Sequence, residues 1–173
     1  VRVRQGRYGL HMAAAISRVS SGHTIGAFGM QHGPGSENAM GGVAQCYGES
    51  VPVLVLPMGY ARRLANIEPN FNSSQAMKAF AKSAEPINIA AEVGNIFRRA
   101  FTRLKNGRGG PVIVEIPSDM WNEEVPEPLN YTPVLRTRYG ADPIHVKQAA
   151  ALLVNARRPV IYAGPGVHYA KAW

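Results

Sequence analysis

The chain has 173 residues, of which 46% are hydrophobic and 17% charged, with 19 Lys and Arg against 11 Asp and Glu. That length suits one domain, or one domain and part of a second, and the composition excludes disordered, collagen-like and coiled-coil chains. No apolar run approaches the roughly 18 residues of a membrane helix, and the opening Val1-Arg-Val-Arg lacks the layout of a signal peptide.

Turn residues divide the chain into alternating elements. Val1–Arg4 reads as the tail of a strand, followed by a helix from about Arg7 to Ser20 with Leu10, Ala13, Ala14, Ile16 and Val19 at helical spacing. Thr24–Met30 is a short apolar run suited to a buried strand. Gln31-His-Gly-Pro-Gly then opens a helix running to about Glu49. Val51–Pro57 is the next buried strand, Met58–Asn72 is irregular, and a short helix is expected near Ser74–Phe80.

Ile87–Asn106 carries an amphipathic pattern stopped by Gly107, and Pro111–Pro117 is a further β-branched run. Strands that read as continuous apolar segments between helices imply a parallel sheet covered on both faces. The expected class is therefore α/β, an open parallel sheet with helices on both faces.

From Ser118 to Asp142 the prolines Pro126, Pro128 and Pro133 sit among polar residues, as in a linker. Asp142 then reads as a helix N-cap with Pro143 at the first helical position, the helix running to about Ala156. Pro159–Ala163 reads as a strand, so a second α/β domain is expected to begin here. The expected organisation is a domain over 1–120, a linker over 121–141 and the start of another domain over 142–173. Because the chain lacks an initial Met and stops at Trp173, just after this unit, both ends read as cut from a longer protein.

One cysteine, Cys46, rules out an internal disulfide and a cysteine-based zinc cluster, which fits a reducing, cytoplasmic setting. The net charge of +8 raises a nucleic-acid partner as a hypothesis. However, Arg98, Arg99, Arg103, Lys105 and Arg108 cluster at a helix end, where cations complement the dipole. No RNP-like, KH-type or zinc-finger pattern accompanies them, so no nucleic-acid partner is expected, and without a long apolar run no membrane partner is expected either.

Four strings occur in register: Gly33-Pro-Gly-Ser-Glu-Asn38, Ser50-Val-Pro-Val-Leu-Val-Leu-Pro57, Gly110-Pro-Val-Ile-Val-Glu-Ile-Pro-Ser-Asp119 and Arg158-Pro-Val-Ile-Tyr-Ala-Gly-Pro-Gly-Val167. Together they resemble thiamine diphosphate-dependent enzymes of the acetolactate synthase large subunit type, with their benzoylformate and oxalyl-CoA decarboxylase relatives. The resemblance implies that 1–120 is most of a pyrimidine-binding domain and that 142–173 begins a central domain. It also implies a 2-keto acid substrate, decarboxylation or carboligation, and a homodimer or homotetramer.

Thiamine diphosphate with magnesium (Mg2+) is the implied cofactor. The metal and diphosphate contacts belong to a domain outside these residues, and FAD binds some members' central domains. The family carries a glutamate on the pyrimidine N1′, six residues before a Met-Ala pair, and Gly6 occupies that position ahead of Met12-Ala13. Hydrogen-bonded acid catalysis of this kind is typically worth about 10² to 10⁴ in rate. An impaired enzyme, an enzyme served by other groups, and an isolated Glu-to-Gly change all remain open. So does a non-catalytic binding or regulatory relic of the fold.

Gly33-Pro34-Gly35 lacks the Lys and Ser or Thr of a P-loop, so a nucleotide-phosphate reading is poor. The family sets this turn against the cofactor pyrimidine, which makes Gln31, Gly33, Pro34 and Asn38 the cofactor-facing candidates. The plain alternative is a tight strand-to-helix turn with Asn38 as a local hydrogen-bonder. Phe71, Asn72 and Lys82 fall where similar enzymes border the substrate entrance, against an ordinary surface loop. His32 is read as a solvated loop residue and His11 as packed or surface.

Overall fold

In the computed structural model, which describes residues 1–173, the elements follow as α1 (Gly6–Val19), β1 (Gly26–Met30), α2 (Pro34–Gly48), β2 (Val53–Gly59), α3 (Ser73–Ala76), β3 (Ser83–Pro86), α4 (Val93–Lys105), β4 (Pro111–Pro117), α5 (Pro143–Asn155) and α6 (Pro165–Ala170). The four strands pair in the order β1-β2-β4-β3. Every pair is parallel, with Gly26 opposite Val53, Val53 opposite Pro111 and Ser83 opposite Val112. The expected open parallel sheet is present, built from β1-α2-β2 and β3-α4-β4 crossovers.

Side-chain alternation along the strands makes two cores. Val53, Val55 and Ile113 face Leu10, Ala13, Ala39 and Val43 of α1 and α2, together with Met77. Leu54, Val112 and Val114 point to the other face, against Ile96, Ala100 and Leu104 of α4. Cys46 lies in the first core, and burial pushes its thiol up to about 11, opposed only weakly by Arg18. That keeps the sulfur protonated and inert.

Several sequence expectations need correction. Val1–Arg4 joins no strand. In α1, Leu10, Ala13 and Ala14 are buried as expected, but Ile16 and Val19 are exposed, and the buried stripe continues at Ser17. Ser17 Oγ accepts the Gly26 N–H at 2.8 Å, so a hydroxyl serves that position better than a hydrocarbon. Ile87 and Ile89 precede α4 and do not extend it, because the chain there still runs beside β4, with Ile87 N donating to Glu115 O at 2.9 Å.

Ser83–Pro86, for which the sequence pattern predicts no element, forms an edge strand. Pro159–Ala163 is not a strand: Val160, Ile161 and Tyr162 are 89%, 75% and 99% exposed and meet no neighbouring strand. α5 starts as expected, with the Asp142 carboxylate accepting from Ile144 N and Pro143 at the first position, yet none of its residues is buried. No helix is long and apolar enough to cross a membrane.

Candidate functional site

Open parallel sheets take ligands at the carboxyl ends of their strands. There β1 runs into Gln31-His32-Gly33 and turns into α2. Gly33 sits at φ +55, ψ −117, a region L side chains rarely occupy, and a Cβ on it would lie 3.2 Å from the Tyr60 phenol oxygen. Pro34 presets the first helical φ, and Ser36 Oγ donates to Gln31 O at 3.0 Å, closing the turn on itself. Gln31, Pro34 and Asn38 are exposed, and Gly33 is buried beneath them.

The start of α1 abuts this turn. A Cβ on Gly6 would stand 3.0 Å from Gly35 O and 3.5 Å from Ala39 Cβ. Two positions 27 residues or more apart in sequence, Gly6 and the Gly33–Gly35 turn, therefore meet at one end of the sheet. The first turn of α1 holds no acidic residue, and α2 contributes only Glu37.

His32 departs from a simple solvated loop residue. Its ring is partly buried and stands edge-on to Tyr60 with centroids 4.6 Å apart, and its Nδ1 is buried without a hydrogen-bond partner. His11 is partly buried on α1.

The other candidates separate. Phe71 packs against the first core, and Asn72 caps α3, its Oδ1 accepting from Gln75 N at 3.0 Å and Ser74 Oγ at 2.9 Å. Lys82 lies at the opposite, amino end of the sheet. Its N–H donates to Pro111 O where β4 begins, and its ammonium donates to Asn106 O at 2.8 Å and to Arg103 O. It thus ties off the carboxyl terminus of α4. The family resemblance grouped Lys82 with Phe71 and Asn72, and the structure sets it at the other end of the sheet from them.

Glu115 escaped the sequence reading. It is 2% exposed on β4, and its Oε2 accepts the Ser74 N–H at 2.6 Å, anchoring the start of α3. A Cβ on Gly59 would fall 2.4 Å from Glu115 Oε1, so a side chain there would displace the Glu115 carboxylate from its present place. The signal was a carboxylate inside an otherwise apolar strand, Val112-Ile-Val-Glu-Ile116.

Arg62 clamps the loop after β2. Its backbone N–H and Nε donate to the Asp119 carboxylate at 3.0 and 2.8 Å, one terminal nitrogen donates to Asn88 O at 2.8 Å, and the other meets Glu123. The Arg62 hydrogen bond holds the Asp119 carboxyl below its ordinary range, against a smaller opposing effect of desolvation. A depressed carboxyl stabilises the fold above its unfolded pKa of about 3.9, and that contribution fades as pH falls through the lower folded value. Asp119→Asn is therefore expected to destabilise at pH 7, with the difference from wild type shrinking as pH drops below about 4 in denaturant titrations. A pH-independent difference would count against the ion pair.

Residues 1–82 match the family model for the N-terminal TPP binding domain of thiamine pyrophosphate enzymes. Over those residues, just under half of its length, the chain carries that domain's sequence pattern. It is 29% identical to the acetolactate synthase large subunit of Buchnera aphidicola subsp. Acyrthosiphon pisum, over 96% of this chain and 30% of that protein. It is 30% identical to the glyoxylate carboligase of Escherichia coli O157:H7, over 94% of this chain and 28% of that protein. The chain therefore spans less than a third of these relatives' length.

The benzoylformate decarboxylase structure from Polynucleobacter necessarius superposes with a TM-score of 0.83 at 24% identity, covering 98% of this chain and 32% of that one. At that identity the likeness shows the fold. The resemblance read from the four sequence strings thus holds for the family and for its α/β architecture. No group of three or more His, Cys, Asp or Glu side chains is placed to hold a metal ion.

Proposed function

We propose that this chain forms the pyrimidine side of a thiamine diphosphate site in an enzyme that decarboxylates or ligates 2-keto acids. The observation that carries the reading is the meeting of Gly6 with the Gly33–Gly35 turn at the ligand-binding end of the sheet. The residues present fit a flat heterocycle. Gly33 and Gly6 leave a cradle that side chains would fill, while the exposed amides of Gln31 and Asn38 and the Pro34 ring border it.

Thiamine diphosphate supplies an electron sink for carbon dioxide loss from a keto acid. The chain's own part is to bind and orient the ring through Gln31, Gly33, Pro34 and Asn38. What it lacks is a carboxylate at position 6 to exchange a proton with the ring. The magnesium and diphosphate contacts, and any FAD, are assigned to parts of the enzyme beyond these residues.

On the same reading 1–120 is the pyrimidine domain, which accords with the two cores ending at Met120. The stretch 121–141 is then a linker, and 142–173 starts a central domain, which accords with the unpacked apolar side chains of α5. The protein would work in the cytoplasm as a homodimer or homotetramer, without nucleic acid or membrane. Gly6 favours a second reading, a binding or regulatory relic that holds the cofactor without catalysis.

Calorimetric titration of the full-length protein with thiamine diphosphate and Mg2+ tests the proposal. Binding is expected, and Gly33→Ala should weaken it because the positive φ and the Tyr60 hydroxyl both oppose a methyl group. Absence of binding by the wild type would overturn both readings. Binding unaffected by Gly33→Ala would remove the turn from the site.

A further inference from the structure

At the amino ends of the strands, across the sheet from the Gly33 turn, lies a hollow of about 840 Å3. Lys82, Arg98, Arg99, Arg103 and Arg108 line it, and its one carboxylate, Glu85, is taken by Arg99 at 2.7 Å. The remaining four cations meet no acid. Arg98 donates to Asn130 O at 2.9 Å and Asn95 Oδ1 at 2.7 Å, and Arg108 Nε donates to Ser50 Oγ at 2.7 Å. Lys82 is held by the two carbonyls of the α4 terminus. The Arg103 guanidinium has no partner at all.

Neutral partners hold Lys82, Arg98 and Arg108 in place without cancelling their charge, while Arg103 is left free to turn toward a ligand. Burial and then the Arg103 charge push the Lys82 ammonium below its usual range, as expected where positive charge is uncompensated. An adjoining hollow of about 720 Å3 shares Arg108 and Tyr139 with the first. It adds Lys105, Arg136, Arg138 and Lys171, and no Asp or Glu lines it. A solvated helix end, the reading the sequence suggests for this charge, would need α4 alone. The structure instead gathers it from α4, the Lys82 segment, the Arg108 loop and the 134–139 stretch around one concavity.

We propose that this basic hollow is a binding site for a small ligand carrying adjacent phosphate groups, gripped chiefly by Arg98, Arg103 and Arg108. Guanidinium groups recognise phosphate oxygens through paired N–H donors, and the pre-positioned Arg98 and Arg108 lose less freedom on binding than an untethered side chain would. The concave shape, in the usual size range of small-ligand pockets, favours a compact polyanion over a duplex laid across a flat surface. The site is separate from the Gly33 turn and does not depend on the function proposed above.

The test is calorimetric titration of the full-length protein with inorganic tripolyphosphate, in the presence of saturating thiamine diphosphate and Mg2+ so that any diphosphate site is already filled, the titrant being equilibrated beforehand at the same free Mg2+ so that chelation neither adds heat nor empties that site. Binding is expected, weakening as salt rises from 50 to 300 mM because the attraction is screened on a scale of about 10 Å at 0.1 M salt. Arg103→Glu with Arg108→Glu should weaken it by at least about tenfold. Arg103→Gln with Arg108→Gln should give an intermediate loss and serves if the reversed pair does not fold. No binding by the wild type, equal binding by the Gln pair, or tighter binding of a 20-base-pair duplex than of tripolyphosphate would each overturn the proposal, the last in favour of a nucleic-acid surface.

Discussion

Gly6→Glu in the full-length protein is expected to speed exchange of the thiazolium C2 proton of bound thiamine diphosphate by about 10² to 10⁴, the usual worth of a positioned acid-base group. The backbone accepts the change with little adjustment. A Cβ at position 6 meets Gly35 O at 3.0 Å, tight by a few tenths of an ångström, and Ala39 Cβ at ordinary contact distance. Position 6 is also the first residue of α1, where the helix dipole favours a negative charge and where the first turn now holds no acid. Replacing glycine in a helix adds up to about 1 kcal/mol of helix preference, so a loss of fold is not the expected outcome.

The experiment separates three results. Faster exchange with unchanged cofactor affinity places the missing proton relay at Gly6. Unchanged exchange in a variant that still binds the cofactor means that the glutamate position lies elsewhere or that another group already serves. Loss of binding means the added side chain occupies the cradle itself, and Gly6→Ala, which lacks the carboxylate, would then show the same loss. Deuterium exchange followed by proton NMR after acid quench reads the rate, and calorimetric titration of each variant with thiamine diphosphate and Mg2+ reads the affinity.

Local chemistry made much of the fold legible. Pro111–Pro117 carries its own boundaries, since proline and β-branched residues frame a buried parallel strand, and it is β4 residue for residue. Asp142-Pro143 declares a helix start through side-chain capping and a fixed φ, independent of anything distant. What stayed hidden depends on partners. Ser83-Ala-Glu-Pro86 has no strand-like composition and is a strand because Val112–Glu115 lies alongside. Pro159–Ala163 has strand composition and no neighbour, so it forms none.

The site divides the same way. The Gly33 turn is written in Gly-Pro-Gly. The nearness of Gly6 to it came only through the family resemblance, because no periodicity says which helix ends converge. Lys82 differs from Phe71 and Asn72: the chain returns to the amino end of the sheet before β3 begins, and no local pattern marks that return.

Gly26→Ala is expected to be among the most damaging small substitutions in the chain, costing at least about 3 kcal/mol, beyond the usual range for overpacking. A Cβ at this position would sit 2.0 Å from Ala13 O and 2.6 Å from Ala13 C. Both are backbone atoms in the middle of α1, so no side-chain rotation relieves the clash and the helix must lift from β1. Lifting it would stretch the Ser17 to Gly26 hydrogen bond and open the contacts of Leu10, Ala13 and Ala14 with the first core. It would also shift the start of α1 against the Gly35 carbonyl, so cofactor affinity should fall along with stability. Gly41→Ala is the matched control: it is helical, exposed and free of any neighbour within 4 Å, and should stabilise by about 0.5 to 1 kcal/mol. Urea unfolding of both variants beside wild type measures the contrast, and a cost below about 1 kcal/mol for Gly26→Ala would mean that α1 does not rest on the β1 backbone.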